Sequence, residues 1–176
     1  VLLIGARQVG KTTLMQSYEF QGDKLFLNGQ DPDISALFEK LPDLEQYLRI
    51  YLNRDLNGLL LLDEFQYIQG VSGKLKLLSD KHPLLKVLCS GSSSLDILKN
   101  VEESLAGRIR TIEVYSLSFA EYLFFRNSEQ HALYTALDPD NSGQALLDPL
   151  ESIWQEYLLW ATHLNWTLMK LTPTWH

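Results

Sequence analysis

The chain has 176 residues, 45% of them hydrophobic and 21% charged, with a net charge of −7, proportions that suit one α/β domain or a domain with part of a second. That acidic balance argues against a domain that grips a nucleic-acid backbone by itself, because phosphate neutralisation needs clustered Lys and Arg. No apolar run is long enough to span a bilayer, no leader peptide is readable, and the lone Cys89 reads as a buried thiol, so a cytoplasmic protein without membrane partners is expected.

The first element organises the rest. Val1 to Ile4 is an apolar strand, and Gly5-Ala6-Arg7-Gln8-Val9-Gly10-Lys11-Thr12 follows it, with Thr13 next. This is the phosphate-binding loop pattern G-x-x-x-x-G-K-[ST] between a strand and a helix. Glycines at both ends let the backbone turn tightly and approach phosphate without a Cβ in the way. The loop amides then form a concave anion site at the start of the following helix. Lys11 supplies a point charge to the β- and γ-phosphates, and Thr12 offers a hydroxyl to Mg²⁺. The expected ligand is therefore ATP with Mg²⁺, held by Gly5 through Thr13. The sequence starts inside this strand with no methionine, and so reads as clipped.

Further elements follow in order. A helix is expected over Thr12 to Phe20, then a short strand over Lys24 to Asn28. Asp31-Pro32-Asp33 opens a helix with Ile34, Leu37 and Phe38 at helical spacing. Leu41-Pro42-Asp43 is expected to break it before Leu44 to Leu52 forms an amphipathic helix, and Asn57-Gly58 is a turn signal. Leu59-Leu60-Leu61-Leu62 is continuous and apolar, the mark of a strand buried on both faces of a parallel sheet. It ends in Asp63-Glu64. Ligands of a doubly wound sheet sit at the carboxyl ends of its strands, so Asp63 is expected to organise Mg²⁺ and Glu64 to orient and polarise the attacking water. A solvated acidic turn is the plainer alternative.

Gly70 to Asp80 reads as a helix ended by His82-Pro83. Leu84 to Cys89 reads as another buried strand, tipped by Ser90-Gly91-Ser92-Ser93-Ser94. Ser90 or Ser92 is expected to face the site while Ser94 caps the next helix. Ile109 to Tyr115 alternates as a last strand. Ser118 and Glu121 form a capping box for a helix carrying Phe119, Tyr122, Leu123 and Phe124. Helical material is expected to reach Leu137, break over 138–143 and resume towards Trp160. The histidines share no metal-ligand spacing.

Five runs occur together in this order: Gly5…Gly10-Lys11-Thr12-Thr13, Leu61-Leu62-Asp63-Glu64-Phe65-Gln66, Ser90-Gly91-Ser92-Ser93-Ser94, Leu105-Ala106-Gly107-Arg108, and Ser116-Leu117-Ser118-Phe119-Ala120-Glu121-Tyr122-Leu123. The set resembles prokaryotic AAA+-type P-loop ATPases whose C-terminal half is a domain of unknown function, over about residues 1–159. The resemblance implies an α/β fold with a parallel five-stranded sheet of order 5-1-4-3-2, helices on both faces, and Ser92 (or Ser90) as the nucleotide-sensing residue. It also implies that Arg108 could reach the γ-phosphate of a neighbouring copy in a homo-oligomer. The plainer alternative for Arg108 is a surface arginine, or one paired with Glu102 or Glu103.

The expected organisation is an ATPase core over 1–126, a helical continuation over 127–159, and an atypical tail over 160–176. The tail has three tryptophans and no acid and reads as a shifted frame. ATP binding with Mg-dependent hydrolysis is the leading expectation, with Glu64, Lys11 and Arg108 as its catalytic residues and Thr12 and Asp63 on the metal. The alternatives are a nucleotide-gated switch with little turnover, and an inactive remnant.

Overall fold

The computed structural model describes residues 1–92, 105–137 and 144–162. It begins with β1 (Leu2–Gly5), α1 (Lys11–Ser17), β2 (Asp23–Asn28), α2 (Pro32–Leu37) and α3 (Leu41–Tyr51). There follow β3 (Gly58–Asp63), a 3₁₀ turn (Phe65–Tyr67), α4 (Val71–Lys81), β4 (Leu85–Ser92) and β5 (Thr111–Glu113). The described chain ends with α5 (Phe119–Arg126), α6 (Ser128–Thr135) and α7 (Gln144–Thr162). All five strands pair in parallel, in the order β2-β3-β4-β1-β5. This is the expected 5-1-4-3-2 order read from the opposite edge.

The leucine run of β3 explains the layering. All six residues of the strand are buried. Leu60 and Leu62 join Leu2, Ile4 and the α3 and α4 leucines Leu44, Leu48, Leu75 and Leu78 in the larger core. Leu59 and Leu61 join Leu3 and Met15 of α1 in a second cluster. Successive strand side chains point to opposite faces, so a sheet covered on both sides needs apolar residues at every position. Each fully buried leucine contributes about 1.5–3 kcal/mol of burial free energy.

Register then aligns the strand ends. Gly5 stands opposite Ser92, Asn28 opposite Asp63, and Leu62 opposite Cys89. The carboxyl ends of β1, β3 and β4 therefore present Gly5, Asp63 and the serines at one edge.

Several local expectations are corrected. Leu41-Pro42-Asp43 does not break a helix but forms the first turn of α3, with Pro42 at its start, where a missing amide costs nothing. Gly58 is the first residue of β3 rather than part of a turn; a Cβ there would lie 2.8 Å from the Asp23 carbonyl oxygen. Ser90, Gly91 and Ser92 belong to β4 rather than to a loop. β5 covers only Thr111–Glu113 and is exposed throughout. The helical stretch towards Leu137 is cut at Asn127, whose side chain accepts from the amides of Glu129 and Gln130 and so caps α6. The expected Ser94 cap, the 138–143 break and the end of the tail lie outside the described residues.

The chain divides into two compact units: Val1–Ala6 with Gly10–Val114, and Arg7–Val9 with Tyr115–His176. In the second, the capping box forms as expected, with Ser118 accepting from the Glu121 amide while the Glu121 carboxylate accepts from the Ser118 amide. That acceptor role holds the Glu121 carboxyl below its ordinary value. Phe119, Tyr122 and Leu123 of α5 pack with Leu150 and Ile153 of α7. Phe119 meets Tyr134 and Trp154 edge to face, and Tyr157 donates to the Leu117 carbonyl at 2.8 Å.

Candidate active site at the carboxyl edge of the sheet

Gly10, at φ +91°, immediately precedes α1. Space around it is open, so glycine is required there by the backbone angle rather than by crowding. Arg7, Gln8 and Thr13 are exposed, and Gln8 also has positive φ, at +64°. Lys11 is 5% exposed, and its ammonium donates to the carbonyl oxygens of Gly5 at 3.1 Å and Ala6 at 2.6 Å. Burial pushes the Lys11 ammonium below its ordinary pKa, while the negative charges of Glu64 and Asp63 partly restore it. A lysine held this way is a cation with little water around it, facing two carboxylates across the strand ends.

Thr12 brings the loop onto β3. Its hydroxyl donates to Asp63 Oδ2 at 2.7 Å. Asp63 is 4% exposed and Ser90 fully buried, and the Ser90 hydroxyl donates to Asp63 Oδ1. Each oxygen of this buried carboxylate thus accepts from a different hydroxyl, which offsets the cost of removing it from water. The Ser90 hydroxyl also lies 3.5 Å from the Glu64 amide, which donates to it.

Glu64 departs from the strand in the left-handed region, at φ +51°. Gly29 makes that exit possible: its amide donates to the Asp63 carbonyl at 2.8 Å, and a Cβ there would lie 2.6 Å from the Glu64 carbonyl oxygen. The Glu64 carboxylate accepts from Gln66 Nε2 at 2.5 Å.

The structure therefore gathers Gly5, Ala6, Lys11, Thr12, Asp63, Glu64 and Ser90. Ser92 closes β4 opposite Gly5, but the serine bonded to the acid is Ser90. Register decides this, because Ser90 lies one step beyond the Leu62–Cys89 pair, level with Asp63. Arg108 goes elsewhere: its guanidinium pairs with Asp80 of α4 at 2.8 Å, both side chains more than two-fifths exposed. Gln66 was given no role by sequence reasoning; its signal was a polar residue two positions after the acid.

The donor set suits Mg²⁺. Thr12 and Asp63 offer hard oxygens, and Mg²⁺ commonly takes one or two carboxylates with substrate phosphates and water completing its shell. Among the described residues no group of three or more His, Cys, Asp or Glu could form an all-protein metal cage.

The AAA domain family model matches residues 1–123. This chain belongs to the AAA domain family. An AAA domain is a nucleotide-binding, ATPase-like domain, and members generally bind ATP with Mg²⁺. An uncharacterized protein of Mycobacterium tuberculosis is 32% identical over 121 residues, 67% of this chain and 25% of that protein. An uncharacterized protein of Methanocaldococcus jannaschii is 26% identical over 140 residues, 78% of this chain and 31% of that protein. This AAA chain thus spans between a quarter and a third of the curated relatives it matches. The solved structure of C. elegans PCH-2 is similar with a TM-score of 0.44 and 17% identity, covering 81% of this chain and 43% of that one. No helix among the described residues is long and apolar enough to cross a membrane.

Proposed function

We propose that this AAA domain binds ATP through the Gly5–Thr13 loop and hydrolyses it with Glu64 as general base. The observation that carries the reading is the convergence of Lys11, Thr12, Asp63 and Glu64 on one strand edge, with Lys11 desolvated and Asp63 bonded to Thr12. In this scheme Lys11 leaves the Gly5 and Ala6 carbonyls for the terminal phosphates. Thr12 and Asp63 would hold Mg²⁺, which supplies charge neutralisation at the phosphate oxygens when bound. Ser90 keeps Asp63 in one rotamer. Glu64 takes the proton of the water that attacks the γ-phosphorus, as the bond to the ADP oxygen breaks. Arg108, paired with Asp80 within this chain, would act only on the γ-phosphate of a neighbouring copy in a homo-oligomer.

Glu64→Gln tests it. Removing the base while keeping shape should lower kcat by about 100-fold or more and leave ATP bound. ATP binding without any turnover for Glu64→Gln to reduce would favour a nucleotide-gated switch instead.

A further inference from the structure

Gln66 is built into the site more firmly than a turn residue needs to be. The 3₁₀ turn that carries it is anchored by Phe65, 2% exposed in the larger core. Gly91 of β4 lies against the same turn. A Cβ there would meet the Phe65 ring at 2.5 Å and Gln66 Oε1 at 2.7 Å. The amide of Gln66 is thus lodged against the backbone of the neighbouring strand, with Nε2 on Glu64 Oε2 at 2.5 Å.

The other end of the amide is unmatched. Gln66 Oε1 is buried with no hydrogen-bond partner among the described residues, a condition that ordinarily costs stability. Turning the amide over would place its oxygen against the Glu64 carboxylate, so the charge on Glu64 sets the orientation. Glu64 itself leaves β3 in a left-handed conformation that a non-glycine residue adopts at some cost. Two unfavourable local arrangements therefore coincide on one contact, the pattern expected where a side chain must be aimed.

We propose that Gln66 is a positioning residue for Glu64: its amide fixes Oε2 and leaves Oε1 to take the proton from water. This rests on the reading of Glu64 as the general base. A positioned base removes a rotational search before each turnover, so the effect belongs in kcat rather than in ATP binding.

The test uses Gln66→Met, which keeps length and removes both the donor and the unmatched oxygen. Its kcat should fall by about tenfold, the KM for ATP should stay within about twofold, and thermal stability should hold or rise because a buried unmet acceptor is gone. A purely structural glutamine predicts the opposite, a lower unfolding temperature and unchanged kcat. Gly91→Ala, which would displace the same amide from β4, should reproduce the fall in kcat. A Gln66→Met protein with wild-type kcat would overturn the proposal.

The contact also has a readout that needs no turnover. The side-chain amide resonance of Gln66 in the intact chain should move when Glu64 is changed to Ala, and a resonance indifferent to Glu64→Ala would overturn the proposal as well. Failure of the ATPase reading looks different: the wild type would show no ATP turnover at all, whether or not ATP raises its unfolding temperature.

Discussion

The two ends of β3 make an instructive pair. At its amino end, Asn53 Nδ2 donates to Asp23 Oδ2 at 2.7 Å and to the Asn57 carbonyl at 2.6 Å, while its Oδ1 accepts from the Asn57 amide. These groups lie towards solvent; the two bonds to Asn57 close a local turn, and the one to Asp23 ties that turn to the start of β2. At the carboxyl end, Asp63 is buried, bonded to hydroxyls from two other elements, and faces a lysine that burial has made less willing to hold its proton. Both ends are polar caps on one leucine strand. Only the second concentrates charge where water is scarce, the condition under which fixed groups act strongly on a ligand.

Substitutions at the two ends should separate their roles. The largest effect is expected from Ser90→Ala, which strips a buried donor from Asp63. Stability should fall by about 1–3 kcal/mol, and Mg-ATP affinity should fall by about tenfold because Asp63 loses its fixed rotamer. Unchanged Mg-ATP affinity would mean that the carboxyl end is only another structural cap. Asn53→Ala at the amino end should cost about 1 kcal/mol in denaturant unfolding with the response to Mg-ATP untouched. A loss of nucleotide response there would erase the distinction between the ends.

A smaller effect is expected away from both, at Glu45 of α3. Burial alone would raise its carboxyl, but hydrogen bonds and charge from Lys81 and His82 bring it below its ordinary value. A carboxyl held lower in the folded state stabilises the protein above its unfolded pKa, and the contribution is lost as pH falls through the folded value. Because the Lys81 side chain is 57% exposed, the contribution should be about 1 kcal/mol or less. Glu45→Gln should flatten the acid limb of a stability–pH curve by that amount, and an identical curve would show the pair to be inert.

Much of the carboxyl end was legible in the sequence. Glycine and lysine spacing marked the loop, and four consecutive leucines marked a strand buried on both faces with its acids at the functional edge. What could not be read is register. Ser90 and Ser92 lie two apart on one strand and are equivalent to any pattern argument; only the pairing of Leu62 with Cys89 puts Ser90 level with Asp63. Arg108 was similarly ambiguous, because Asp80 lies 28 positions earlier and reaches it only through packing of α4. The Asn53 and Asn127 side chains build a turn and a cap where sequence suggested a Gly58 turn and an unbroken helix. In both cases a side-chain amide competes with the backbone pattern and wins locally. Cys89 needed no geometry: an apolar run foretold burial, and burial pushes its thiol up to about 12.

On the proposed reading, the carboxyl edge of this AAA domain is a working nucleotide site. Thermal unfolding with and without Mg-ATP, on the wild type and on Lys11→Ala, tests it most directly. At ligand near 100 times Kd the wild type should gain about 2.7 kcal/mol, a rise of about 5–10 °C for a chain of this size, and Lys11→Ala should show no rise. Equal responses in the two proteins, or none in a folded wild type, would contradict the account.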